Sequence, residues 1–141
     1  MCQWKKAEKE CLKFKCPHKK GRRVCGGAMC AFSPGTPTYD MYCSKCGEKY
    51  QVKSKKVNIR SFVQHKVKFP AGTRSYTAPA IRAGKFNLLL YEKGYRMFRI
   101  SYISGEDMKK WASVSRRGMS PGCMVTIPGN APIFQEVHLS S

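Results

Sequence analysis

From residue 57 onward, apolar side chains recur mostly at every second position, the period of a strand whose side chains alternate between two faces. Val57 and Ile59 begin the pattern, Phe62 and Val63 fall one step out of phase, and Val67 and Phe69 resume it before a turn at Pro70-Ala71-Gly72-Thr73. Residues 74–82 are polar and broken by Pro79, which predicts an edge strand or a loop. The strongest pair of strands runs Lys85–Glu92 and Tyr95–Ile103, with Lys93-Gly94 as the hairpin turn. On the second of these, Arg96, Phe98, Ile100 and Tyr102 share one face, and Tyr95, Met97, Arg99 and Ser101 share the other. One face is expected in the core, with Phe98 and Ile100 inside, and one in solvent.

The period then changes. Ser104-Gly105-Glu106-Asp107 has the form of a helix start, with Ser104 as N-cap and two acids in the first turn to complement the helix dipole. The predicted helix runs from Gly105 to Ser115, with Met108, Trp111 and Ala112 on one face and Arg116-Arg117-Gly118 at its end. Cys123–Ile127 and Ile133–Leu139 read as strands around Pro128-Gly129-Asn130-Ala131-Pro132. The fold class is therefore mainly β with one short helix. An N-terminal module over residues 1–53 precedes a basic β-rich barrel or sandwich over residues 57–141. Residues 53–56, Lys-Ser-Lys-Lys, mark the boundary as a short linker or strand end. No apolar run approaches the ~20 residues that span a bilayer, and no membrane partner is expected.

Charge narrows the partners. The 141 residues carry 27 Lys/Arg against 8 Asp/Glu, a formal charge of +19. Residues 1–56 hold 14 of these cations and 4 acids, and residues 57–141 hold 13 and 4. The charge is thus built into both halves rather than into a detachable tail. Such a surface repels itself and favours an anionic partner, most commonly nucleic acid, whose condensed counterions are released on contact. The exposed cations expected to touch phosphates are Lys19, Lys20, Arg22 and Arg23, then Lys53, Lys55 and Lys56, and Arg96, Arg99, Arg116 and Arg117.

Seven of the eight cysteines, Cys2, Cys11, Cys16, Cys25, Cys30, Cys43 and Cys46, lie in the first 46 residues. The first fifteen residues hold five lysines and no apolar core of a secretory signal. A reducing intracellular compartment (cytoplasm, nucleus or virion interior) is therefore expected, and there metal binding explains such a cluster better than disulfides. In Tyr42-Cys43-Ser44-Lys45-Cys46-Gly47-Glu48-Lys49-Tyr50, two residues between the thiols let both sulfurs reach one ion, and the glycine lets the backbone turn toward them. Cys2 and Cys11 read as ordinary free thiols, and Cys123 as a small core residue.

This segment resembles the second half of a zinc ribbon, and the resemblance extends over about residues 14–50. In that family two knuckles face each other across a small sheet. The resemblance implies a structural zinc held by Cys43, Cys46 and a second pair. Here the first knuckle departs from the pattern, because Lys19 stands where the second cysteine belongs. The second pair is expected to be Cys16 and Cys25, with His18 and Cys30 as alternates. Seven cysteines plus His18 would also supply two tetrahedral zincs.

No motif of an enzyme is present. The chain lacks G-x-S-x-G and G-x4-G-K-[ST], and the acids Glu8, Glu10, Asp40 and Glu48 form no deaminase-like arrangement with the cysteines. His65 and His138 are isolated. The expectation is a non-enzymatic protein with a structural zinc that contacts the phosphate backbone of DNA or RNA, as a ribonucleoprotein component or a transcription or replication accessory. The alternative is a structural subunit of a viral or other assembly.

Overall fold

The structure, a computed structural model, describes residues 9–33, 39–56, 66–116, 118–131 and 134–139. Residues 9–12 are helical. The chain then runs β1 (Lys19–Lys20), β2 (Arg23–Val24), β3 (Met29–Ala31), β4 (Met41–Cys43), β5 (Lys49–Lys56), β6 (Val67–Thr73), α1 (Arg74–Arg82), β7 (Asn87–Gly94), β8 (Met97–Ile103), α2 (Gly105–Trp111), β9 (Ser113–Arg116), β10 (Gly122–Ile127) and β11 (Phe134–Leu139). β1 and β2 form a small hairpin; six strands form a sheet in the order β11-β8-β7-β5-β4-β3, and three form a sheet in the order β6-β10-β9. The protein is mainly β, and among the described residues no sheet closes into a barrel. No helix among them is long and apolar enough to cross a membrane.

Strand β7 explains the layering. Its run Leu88-Leu89-Leu90-Tyr91 does not alternate, which suits a strand covered on both faces. Leu89 and Tyr91 point into a first core with Tyr50, Val52, Ile100 and Tyr102, which also takes Cys11, Phe14, Cys16, Met29, Met41 and Cys43 from the N-terminal segment. Leu88 and Leu90 point the other way, into a second core with Ile103, Met108 and the inward residues of β6 and β10. The large sheet is thus the middle layer between the cysteine-rich segment and the three-stranded sheet with its helices.

The large sheet also runs across the boundary expected near residues 53–56. β5 pairs in parallel with β7, from Tyr50 opposite Asn87 to Lys56 opposite Lys93. Lys53 to Lys56 form the end of a strand in register with the centre of the sheet. Buried Asn87 ties the two halves at one end. Its amide donates to Glu48 Oε2 and to the Lys49 carbonyl, both at 2.9 Å, and its oxygen accepts from the Gly105 N–H at 2.8 Å.

Four local expectations are corrected. Pro70–Thr73 are not a turn but the second half of β6, paired with β10. Residues 74–82 form helix α1 and not a strand or loop, although Pro79 sits inside it and the Thr73 side chain does not cap it. Burial of Thr77, Ala78 and Ile81 along one side supplies what its sequence lacks. The hairpin turn lies at Tyr95-Arg96, two residues later than expected: β7 continues through Gly94, and Arg96 takes φ 53°. Helix α2 does begin at Ser104, whose hydroxyl accepts from the Asp107 N–H at 3.1 Å, but it ends at Trp111, and Ser113–Arg116 are strand. Val114 pairs opposite Val125 there, so a sheet partner takes the residues that a longer helix would have used. The strands expected around Val57–Val63, and His65, lie outside the described residues.

Candidate metal centre

Two backbone turns built alike bring four thiols together. In the turn at Cys43–Cys46, the Gly47 N–H donates to the Cys43 carbonyl at 3.0 Å and the Cys43 N–H to the Glu48 carbonyl at 2.9 Å. In the other, the Gly26 N–H donates to the Cys16 carbonyl at 2.9 Å and the Cys16 N–H to the Gly27 carbonyl at 3.0 Å. Each glycine follows a cysteine directly, and each takes a positive φ, 67° at Gly26 and 80° at Gly47, which costs glycine little. The first turn differs only by an insertion. β1 and β2 rise between Cys16 and Cys25 as a hairpin, and the closing bonds remain.

The sulfurs of Cys16, Cys25, Cys43 and Cys46 lie within 4.8 Å of one another. Cys16 Sγ is 3.6 Å from Cys46 Sγ, and Cys25 Sγ is 3.7 Å from Cys43 Sγ. Gly27 makes this approach possible. A Cβ at that position would stand 2.6 Å from Cys43 Sγ and 2.7 Å from Lys45 Cβ. Such a cluster could hold one metal ion.

The surroundings favour charge on one sulfur and oppose it on others. Burial works to raise the Cys43 thiol, but the backbone N–H groups of Cys46 and Lys45 point at its sulfur and bring it down to about 7. Burial pushes the Cys16 and Cys46 thiols upward. The Tyr50 hydroxyl lies 3.0 Å from Cys16 Sγ and acts to lower that thiol, as a donor to the thiolate. Burial, and then the neighbouring Cys16, raises Tyr50 in turn. A cation among the sulfurs would reverse the burial preference for neutral thiols.

No protein-family model matches the chain, and no curated protein is similar to it. The site therefore rests on its own geometry.

The other candidates separate clearly. His18 lies outside the cluster, half-exposed, with Nε2 3.6 Å from Glu48 Oε1. Cys30 sits on β3 opposite Tyr42, and Cys11 is buried in the first core; neither joins the four. Cys123 is buried in the second core. Cys2 lies outside the described residues. Of the expected phosphate contacts, Lys19, Lys20, Arg22 and Arg23 are exposed on the inserted hairpin, as are Lys56, Arg96 and Arg116 elsewhere. Lys53 and Lys55 are half-buried, and Lys55 donates to the Lys68 carbonyl at 2.8 Å. Arg117 lies outside the described residues.

Arg99 is a correction. It is 2% exposed, and its Nη2 and Nε reach Glu92 Oε1 at 2.6 and 3.1 Å. The alternation of β8 predicts this face in solvent, but the three-stranded sheet and the helices cover that side. A buried guanidinium needs a buried carboxylate more than a phosphate. The signal that sequence reasoning missed was the repeated Cys-Gly step, Cys25-Gly26 matching Cys46-Gly47, which marks the partner turn despite its irregular spacing.

Proposed function

We propose that the protein is a non-enzymatic nucleic-acid-binding protein built on a structural zinc, with the zinc-ribbon-like turns as its metal site. The donor set supports zinc: four cysteine sulfurs, two on each of two matching turns. A tetrahedron of zinc–thiolate bonds of about 2.3 Å has edges of about 3.8 Å. The separations of 3.6 and 3.7 Å are close to that edge. Cys16, Cys25, Cys43 and Cys46 would hold the ion, and four protein ligands fill a tetrahedral shell, the pattern of a structural site rather than one with an open catalytic position. The ion's contribution would be to fix two turns that a short, loop-rich segment cannot stabilise by burial alone.

One observation carries the binding function. The insertion that distinguishes the first turn is a cationic hairpin, Lys19, Lys20, Arg22 and Arg23, exposed and anchored at both ends by metal-site cysteines. Fixed cations on a pinned hairpin suit phosphate contacts, which position a backbone without reading its sequence. The decisive measurement is affinity for random-sequence DNA and RNA across a salt series. Binding should weaken steeply with salt, and Lys20→Glu with Arg23→Glu should flatten the log–log slope by about 0.7–0.9 per phosphate that is no longer neutralised. A slope unaffected by that pair of substitutions rules the hairpin out.

A further inference from the structure

A groove of about 530 Å³ opens between α1, α2 and β9, away from the metal centre. Three cations line it: Arg74 at the first position of α1, Arg82 at its last, and Lys109 across from them on α2. None of the three is paired with a carboxylate among the described residues. Its floor is apolar, with Ala78 and Ile81 of α1 beside Ala112 and Val114. Among the described residues no acid lines it. The acids of α2 sit at the opposite end of that helix: Asp107 bonds the Ser104 hydroxyl at 3.1 Å, and Glu106 lies against Gly84.

Two features together define what fits. Arg74 and Arg82 are eight residues apart on one helix, about 12 Å along its axis. That distribution suits an anion with charges spread along its length better than a single compact head group. Arg116, two residues beyond Val114 on β9 and exposed, extends the line of cations on the same face of the strand. The second feature is the sunken apolar floor. A duplex presents phosphates on its outside and keeps its bases stacked within, so it has little to place there. A single strand offers sugar and base faces as well as phosphates.

We propose that this groove binds a segment of single-stranded nucleic acid, with its phosphates on Arg74, Arg82 and Lys109 and its sugar or base faces on the floor. The inference rests on the nucleic-acid reading above and deepens it, because it makes this second surface selective for strand state, whereas the β1–β2 hairpin contacts phosphates of either kind. The volume lies within the range of small-molecule and cofactor sites, which holds a short segment and not a long one.

The test uses the full chain with short single-stranded DNA and RNA oligonucleotides and the matching duplexes, by fluorescence anisotropy at several salt concentrations. Arg82→Glu with Lys109→Glu should weaken single-strand binding roughly tenfold or more and lower its salt slope by about 0.7 per phosphate released. Duplex binding should change far less. The neutral pair Arg82→Gln with Lys109→Gln should lie between, and circular dichroism should match wild type for both, since Arg82 and Lys109 are exposed. If wild type binds single strands and these variants bind them equally well, the groove assignment is overturned and the nucleic-acid reading stands. An equal loss for duplexes overturns the strand selectivity. If wild type binds no nucleic acid at any salt, both readings fall together.

Discussion

The two faces of the six-stranded sheet are buried by different means. The second core is mostly aliphatic, with two phenylalanines: Leu88, Leu90 and Ile103 meet Val67, Phe69, Phe86, Val125 and Ile127. Area removed from water stabilises it. The first core places Tyr50 and Tyr102 of the sheet among Cys16, Cys43 and two methionines. Short strands and turns cover it: β3 and β4 have three residues each, and the β1–β2 hairpin stands outside the core. The cover contributes Phe14, Met29, Met41, Cys11, Cys16 and Cys43 to that core, and these residues stand on loops and short strands whose ordering costs entropy. The difference teaches that one sheet can carry one face covered by a second sheet and one face covered by turns, where a metal ion among the four thiols would crosslink the cover.

Losing a cysteine ligand is the severest test of that contrast. Cys43→Ser should abolish metal retention in native mass spectrometry and remove a stabilisation on the order of 10 kcal/mol from the first face. Retained metal and an unchanged melting curve would break the comparison outright. Next comes the ion pair at the edge of the second face. Arg99→Met takes the guanidinium away from Glu92, which is 0% exposed. It should cost about 3–5 kcal/mol in chemical denaturation. Adding Glu92→Leu should recover most of that loss, and no recovery would mean that the guanidinium acts through packing.

Leu90→Ala should cost about 2–5 kcal/mol by opening a cavity in the second core. Metal content should stay at the wild-type value, and a drop in it would mean that the two faces are not independent. Smaller still, Tyr50→Phe removes the hydroxyl beside Cys16 Sγ and should weaken metal binding roughly tenfold. Competition against a chromogenic chelator measures this, with the fold checked by circular dichroism. The mildest change, Ser104→Ala, deletes the cap of α2 and should cost about 1 kcal/mol, with no effect on metal.

Legibility in the sequence followed the range of the interactions. Ser104 was readable as a cap because its bond reaches only to Asp107. The Cys43–Cys46 turn was readable because its two cysteines and its glycine lie within five residues. The strands of the β7–β8 pair were readable from their apolar run, whereas the turn between them was misplaced by two residues, because Gly94 stays in the strand and Arg96 takes the positive φ of the turn. Helix α1 was hidden, since Pro79 argues against it locally and its support comes from the second core.

By itself the sequence determined the class of the fold, the charge carried by both halves and the clustering of thiols toward one end, because composition and short-range pattern suffice for these. Only the tertiary structure decided which four thiols meet, since the hairpin inserted between Cys16 and Cys25 is compatible with several pairings until both turns close. It also decided which cations are surface and which are core. Arg96 and Arg99 stand three residues apart and look alike in the chain, yet one is exposed and the other lies opposite Glu92 beneath a second sheet. A strand's alternation says that its two faces differ, but the layer that covers each face comes from residues far away in sequence.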